Sequence, residues 1–130
     1  MRYLLDTHVL IWSQDEPEVL PAGVAALLLD PAHERMLSIV SCWEVGIKVS
    51  IGKLELSKPY RLWIETSVEE LLLIELAITL NHIETLLTLP KSDHKDPFDR
   101  MLAAQALSEG VPIISNDTKL DAYGVIRIWN

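Results

Sequence analysis

Short apolar runs recur along the chain and alternate with stretches whose apolar residues return every three or four positions. The runs predict strands near Arg2–Leu5, Met36–Val40, Leu71–Ile74, Val111–Ser115 and Val125–Ile128. The stretches between them predict helices. One begins near Pro21 and stops at Asp30, before Pro31. A second follows Ser41 and ends near Gly52, and a third follows Ser57 with Pro59 at its first position. A fourth follows Thr79, with Leu80, Ile83 and Leu87 on one face and Pro90 beyond its end. The clearest follows Asp96, opens on Pro97 and closes at Gly110, because proline suits a first helical turn and glycine a helix end. Apolar runs separated by helices imply an α/β domain, with a mostly parallel sheet covered on both faces.

This order of elements brings distant acids together. In a parallel sheet, ligands bind beyond the carboxyl ends of the strands. Asp6 directly follows the first strand, Glu44 lies in the first turn after the second, and Asp117 follows the fourth. Asp99 sits near the start of a helix that must finish at the sheet's amino edge to feed the fourth strand, so it starts at the carboxyl edge. The segment Leu89–Lys95 can return the chain there. Extended, it reaches roughly 23 Å, against roughly 18 Å for the helix.

Each acid also has an ordinary structural role open to it. Asp6 could end a strand and begin a turn. Ser41 and Glu44 have the spacing of a capping box, and Asp96 before Pro97 that of an N-cap. Asp99 suits the positive end of its helix, and Asp117 could cap a short helix toward Tyr123. Separate caps do not require a shared edge, and the joint placement favours a common site. Carboxylates crowded without counter-charge repel or protonate. A divalent cation resolves that conflict, and all-oxygen ligands select Mg²⁺ or Mn²⁺ over zinc. The chemistry indicated is metal-assisted phosphodiester hydrolysis.

Composition narrows the picture. The chain has 130 residues, which favours a single domain spanning 1–130. Cys42 is the only cysteine, excluding an internal disulfide framework and a cysteine-based zinc site. The start does not read as a signal peptide and no apolar stretch is long enough to span a bilayer, so a cytoplasmic location is expected. A net charge of −8 argues against nucleic-acid binding through a broad basic face, but not against an enzyme that meets phosphate through metal ions. Lys48 and Arg100 are the favoured phosphate contacts, Lys48 four residues after Glu44 and Arg100 beside Asp99. His94 is a loop residue that could assist. His8 and Trp12, one helical turn apart, suit packing as well as substrate contact. Trp43, Trp63 and Trp129 read as core or interface.

The chain resembles PIN-domain nucleases, particularly the VapC-like toxins of bacterial toxin–antitoxin pairs. The matching pieces, in order, are Leu4-Leu5-Asp6-Thr7-His8, Ser38 through Glu44 to Ile47-Lys48, Gly52-Lys53-Leu54, Asp96 through Ala106, and Ser115-Asn116-Asp117. The resemblance implies a three-layer α/β/α sandwich around a mostly parallel sheet of four to five strands. It implies an Mg²⁺- or Mn²⁺-dependent endoribonuclease with Asp6, Glu44, Asp99 and Asp117 as its acidic site. Asp96 and Ser115 are additional candidates. It also implies a homodimer blocked by a small antitoxin. Two alternatives stay open: an inactive PIN-like binding module, whose expected mark is a lost acid, and a nuclease acting on DNA. A phosphoacceptor receiver is disfavoured because Thr7, not a second acid, follows Asp6. An aspartyl phosphatase is disfavoured because His8 stands where its second aspartate belongs.

Overall fold

A computed structural model describes every residue except Ser92 and His94. The sheet has five strands, all parallel: β1 (Arg2–Leu5), β2 (Glu34–Ser38), β3 (Leu73–Leu76), β4 (Ile113–Ile114) and β5 (Arg127–Ile128), in spatial order β3-β2-β1-β4-β5. The helices are α1 (Thr7–Asp15), α2 (Ala22–Leu29), α3 (Ile39–Ser50), α4 (Tyr60–Leu71), α5 (Leu80–Thr88) and α6 (Pro97–Glu109). Short 3₁₀ turns lie at Pro17–Val19 and Thr118–Tyr123. Among the described residues, no helix is long and apolar enough to cross a membrane.

Side chains alternate across a strand, so a sheet buried on both faces needs apolar residues at successive positions. Tyr3 and Leu5 of β1, Leu37 of β2 and Ile114 of β4 join a core with α1, α2 and α4. Leu4, Met36 and Ile113 point the other way, into a core with Leu102, Ala103 and Ala106 of α6. The result is the three-layer α/β/α sandwich. Helix α3 serves both layers, placing Val40 in the second core and Val45 in the first.

Several boundaries differ from the sequence reading, each for a local reason. Helix α1 went unrecognised, because its buried Val9, Leu10 and Ile11 are consecutive and hide the helical period. Strand β2 stops at Ser38, two residues early. The Ser38 hydroxyl accepts from the Val40 N–H, so Ile39 and Val40 form the first helical turn instead of more strand. Ser38, not Ser41, is therefore the cap of α3, and no Ser41–Glu44 capping box exists. Helix α4 runs on to Leu71 and pushes β3 to Leu73–Leu76.

Leu72 ends α4 in the left-handed conformation (φ 51°), with its side chain exposed. That geometry costs a non-glycine residue about 1–2 kcal/mol. Leu72→Gly should therefore raise stability by about 1 kcal/mol, since little burial is lost and glycine recovers most of the strain. Urea unfolding checks it: the midpoint should rise, and a fall would contradict the strain.

Candidate active site

The chain passes from β1 to β2 and β3 on one side, then returns to β4 on the other side of β1. The strand order therefore reverses between β1 and β4, the position where open α/β sheets bind ligands. Leu5 pairs with Ile114, and the Asp6 N–H donates to the Ile114 carbonyl at 3.0 Å. This register brings Ser115 to Asp6, and the Ser115 hydroxyl donates to Asp6 Oδ2 at 2.6 Å.

Asp6 occupies the cap position of α1, yet its side chain makes no capping bond. The residue is 3 % exposed, and its carboxylate is held toward Ser115 instead. The strand-end role weighed for Asp6 accounts for its backbone and leaves its carboxylate unexplained. Burial pushes the Asp6 carboxyl above the ordinary carboxylate value, and the charge of Glu44 adds to the rise. The Ser115 hydroxyl, His8 and the Thr7 N–H act in the opposite direction.

Glu44 lies in the second turn of α3, also buried. Lys48, one turn further along, places Nζ 2.9 Å from Glu44 Oε2. The Thr7 hydroxyl donates to Glu44 Oε1 at 2.7 Å, and Ser41 Oγ lies 2.9 Å from Thr7 Oγ1. Thr7 thus ties α1 to α3 from the residue beside Asp6. In the sequence Thr7 belongs to the Leu4-Leu5-Asp6-Thr7-His8 motif and has no role of its own. Its one signal is its place between Asp6 and the apolar run at residues 9–12.

Glu44, Asp96, Asp99 and Asp117 line one cleft, together with His8, Lys48, Lys53 and Phe98. Asp6 lies buried beneath this surface, near enough to Glu44 to feel its charge. Asp96 caps α6, accepting from the Phe98 and Asp99 N–H groups at 2.8 and 3.1 Å. Asp117 caps the second 3₁₀ turn through the Lys119 N–H at 3.0 Å. Both acids keep their helix-capping roles and still face the cleft. Arg100 leaves this group. One residue on from Asp99, it turns around α6 to lie over the Tyr123 ring, 5.5 Å from its centroid, and lines a separate cleft with Lys91 and Lys95. His94 falls outside the described residues. Cys42 takes no part: burial, with Glu75 adding, raises its thiol pKa to about 11, which leaves it unreactive.

Among the described residues, no three His, Cys, Asp or Glu side chains stand close enough to share one ion. The hydrogen bonds explain the spacing. Glu44 is drawn to Lys48 and Thr7, Asp6 to Ser115, and Asp96 and Asp117 to backbone N–H groups. The donor chemistry nevertheless fits a hard divalent cation, since the available groups are carboxylate and hydroxyl oxygens without sulfur. Lys48 supplies positive charge to Glu44 where a metal ion would otherwise do so.

Asp6 has a consequence for stability. A carboxyl whose folded pKa is raised binds its proton more tightly when folded. Its contribution is complete below the unfolded value of 3.8 and is lost as pH rises through the folded pKa. EDTA-treated wild type should therefore gain stability relative to Asp6→Asn as pH falls through that window, while at neutral pH the variant should be at least as stable. Thermal melting against pH for both proteins checks this. Parallel profiles would show that burial of Asp6 carries no penalty.

Residues 3–126 match the PIN domain family model. Ribonuclease VapC22 of Mycobacterium tuberculosis is 28 % identical over 120 residues, covering 92 % of this chain and 90 % of that protein. Among solved structures, VapBC2 of Rickettsia felis, bound to a DNA fragment from its promoter, superposes with a TM-score of 0.77 at 15 % identity and full coverage of both chains. VapBC-1 of nontypeable Haemophilus influenzae gives 0.63 at 19 % identity, covering 98 % of this chain and 97 % of that one. VapBC-5 of Mycobacterium tuberculosis gives 0.60 at 20 % identity, covering 98 % of each. The likeness in fold and the match along nearly the whole chain agree: the chain belongs to the PIN-domain family.

Proposed function

We propose that the chain is an Mg²⁺- or Mn²⁺-dependent endoribonuclease, acting as the toxin of a toxin–antitoxin pair, with Asp6, Glu44, Asp99 and Asp117 as its acidic site. One observation carries the reading. A PIN domain 28 % identical to a ribonuclease holds a buried aspartate at the strand-order switch, near enough to a buried glutamate to feel its charge, and that glutamate lines a cleft with further acids. A buried charge without a purpose would be destabilising, and a neutral pair would pack as well.

A bound Mg²⁺ or Mn²⁺ would activate water for in-line attack on phosphorus and stabilise the departing 3′ oxygen, leaving a 5′ phosphate. The chain's own groups prepare that chemistry. Ser115 and Thr7 donate to Asp6 and Glu44 respectively and fix their orientation. Asp99 and Asp117 extend the oxygen donors across the cleft. Lys48 and Lys53 line its wall and can neutralise phosphate oxygens.

The partner reading has its own support. An acidic cleft in a chain of net charge −8 suits a basic arm whose arginine pairs with carboxylates. A second, largely apolar groove between α3, α4 and β3, lined by Leu37, Cys42, Tyr60, Ile64, Val68 and Leu73, suits an apolar helix face of the same small partner. For the homodimer, α5 leaves Leu80, Ile83 and Leu87 exposed at helical spacing. VapBC-5 of Mycobacterium tuberculosis is described as a member of the VapBC family of toxin–antitoxin systems, and that pairing is extended to this chain here.

Single-stranded RNA should be cut with Mn²⁺ or Mg²⁺ and left intact with EDTA. Asp99→Asn and Glu44→Gln should lower kcat/KM by about a hundredfold or more, as losses of charge at a metal-dependent site do. Undiminished cleavage by either variant would overturn the site. Cleavage of DNA alone would reassign the substrate, and inertness even with Mn²⁺ present, with no Mn²⁺ binding, would point to a binding module. For assembly, Leu80→Glu with Leu87→Glu should convert a dimer to a monomer in sedimentation. A monomeric wild type would contradict the dimer.

A further inference from the structure

Beside the acidic cleft lies a second recess that the acid site does not explain. It is lined by His8, Trp12, Asn116, Asp117 and Thr118. His8 and Asp117 also line the acidic cleft, so the two are continuous. The topology builds the recess from both sides of the β1/β4 switch: His8 and Trp12 come from α1 after β1, and Asn116 and Thr118 from the turn after β4. Helical spacing sets Trp12 one turn beyond His8, with ring centroids 5.6 Å apart and planes inclined by 41°. Trp129, just past β5, packs against Trp12 with ring centroids 5.8 Å apart.

Packing accounts for Trp12, which is half-buried against Trp129. It does not account for His8, which is exposed and adds little to the core. An imidazole laid beside an indole at the lip of a phosphate-handling cleft is a π surface facing solvent. Single-stranded nucleic acid is held by stacking its bases on such surfaces, through a contact that tolerates any base. The exposed Asn116 amide and Thr118 hydroxyl stand at the same recess, where they can donate to and accept from a base edge.

We propose that His8 and Trp12 form a shelf that stacks one base next to the scissile phosphate, with Asn116 and Thr118 at its edge. The inference rests on the ribonuclease reading and deepens it. It makes the substrate a locally unpaired strand, since a base within a duplex cannot reach the shelf. It makes His8 and Trp12 positioning residues, acting on where the phosphate sits and not on the bond.

The test uses one RNA oligonucleotide with a mapped cut, and versions lacking the base on either side of that cut. Wild type, His8→Ala and Trp12→Leu are compared for kcat/KM with Mn²⁺, with melting curves to establish folding. In wild type, removing the base on one side should lower cleavage roughly tenfold or more, the usual effect of losing one stacked base. In either variant, intact RNA should already be cut more slowly, and removing the same base should add little. If Trp12→Leu fails to fold, the exposed His8→Ala carries the comparison. Equal losses in wild type and variants, or no loss on either side, would overturn the shelf while leaving the nuclease reading intact. A wild type that cuts no RNA at all would overturn both.

Discussion

The site depends on the parallel pairing of β1 with β4. Leu5 opposite Ile114 is the register that delivers Ser115 to Asp6, across more than a hundred residues of chain. Because β2 and β3 were laid on the other side of β1, this pairing also opens the crevice where the sheet reverses direction of growth. Helix α3 then brings Glu44 from the β2 side, and the start of α6 brings Asp99 to the same cleft. A slip of one residue in this register would set Leu5 and Ile114 on opposite faces of the sheet and separate Ser115 from Asp6. The same hydrophobic alternation that fills both layers therefore also sets the carboxylates.

The local electrostatics have one theme: negative charge concentrated and incompletely answered. Thr7, Ser115 and Lys48 each relieve part of it, by donated hydrogen bonds or by direct pairing. Their pull spreads the carboxylates among separate partners instead of one centre. Asp96 and Asp117 are further engaged with the ends of their own helices. Helix capping and a place in the cleft are thus compatible for a single residue. A helix N-terminus is held at the carboxyl edge of the sheet, and a cap there necessarily faces the ligand crevice.

Much of this was legible from residue order. Asp6, Glu44, Asp99 and Asp117 could be placed on one edge because each follows a strand or opens a helix that must return to the next strand. The details that escaped depend on side-chain direction. Arg100 adjoins Asp99 in sequence, but consecutive helical residues diverge by about 100°, so it faces another cleft, over Tyr123. Ser41 and Glu44 carried a capping spacing, but the helix began earlier, at the Ser38 hydroxyl, and placed both in its interior. The bond from Thr7 to Glu44 joins residues that no local pattern connects. Helix α1 was hidden by three adjacent apolar residues, which a short buried strand would show equally well.

The central claim is that the buried Asp6–Glu44 pair is kept for a divalent cation. A crystal structure grown with Mn²⁺, with the ion located by its anomalous scattering, tests this most directly. Mn²⁺ is expected in the cleft beside the carboxylates of Asp6, Glu44, Asp99 and Asp117, with Lys48 moved off Glu44. Manganese located elsewhere, or an ion-free cleft with the Lys48–Glu44 pair intact, would contradict it.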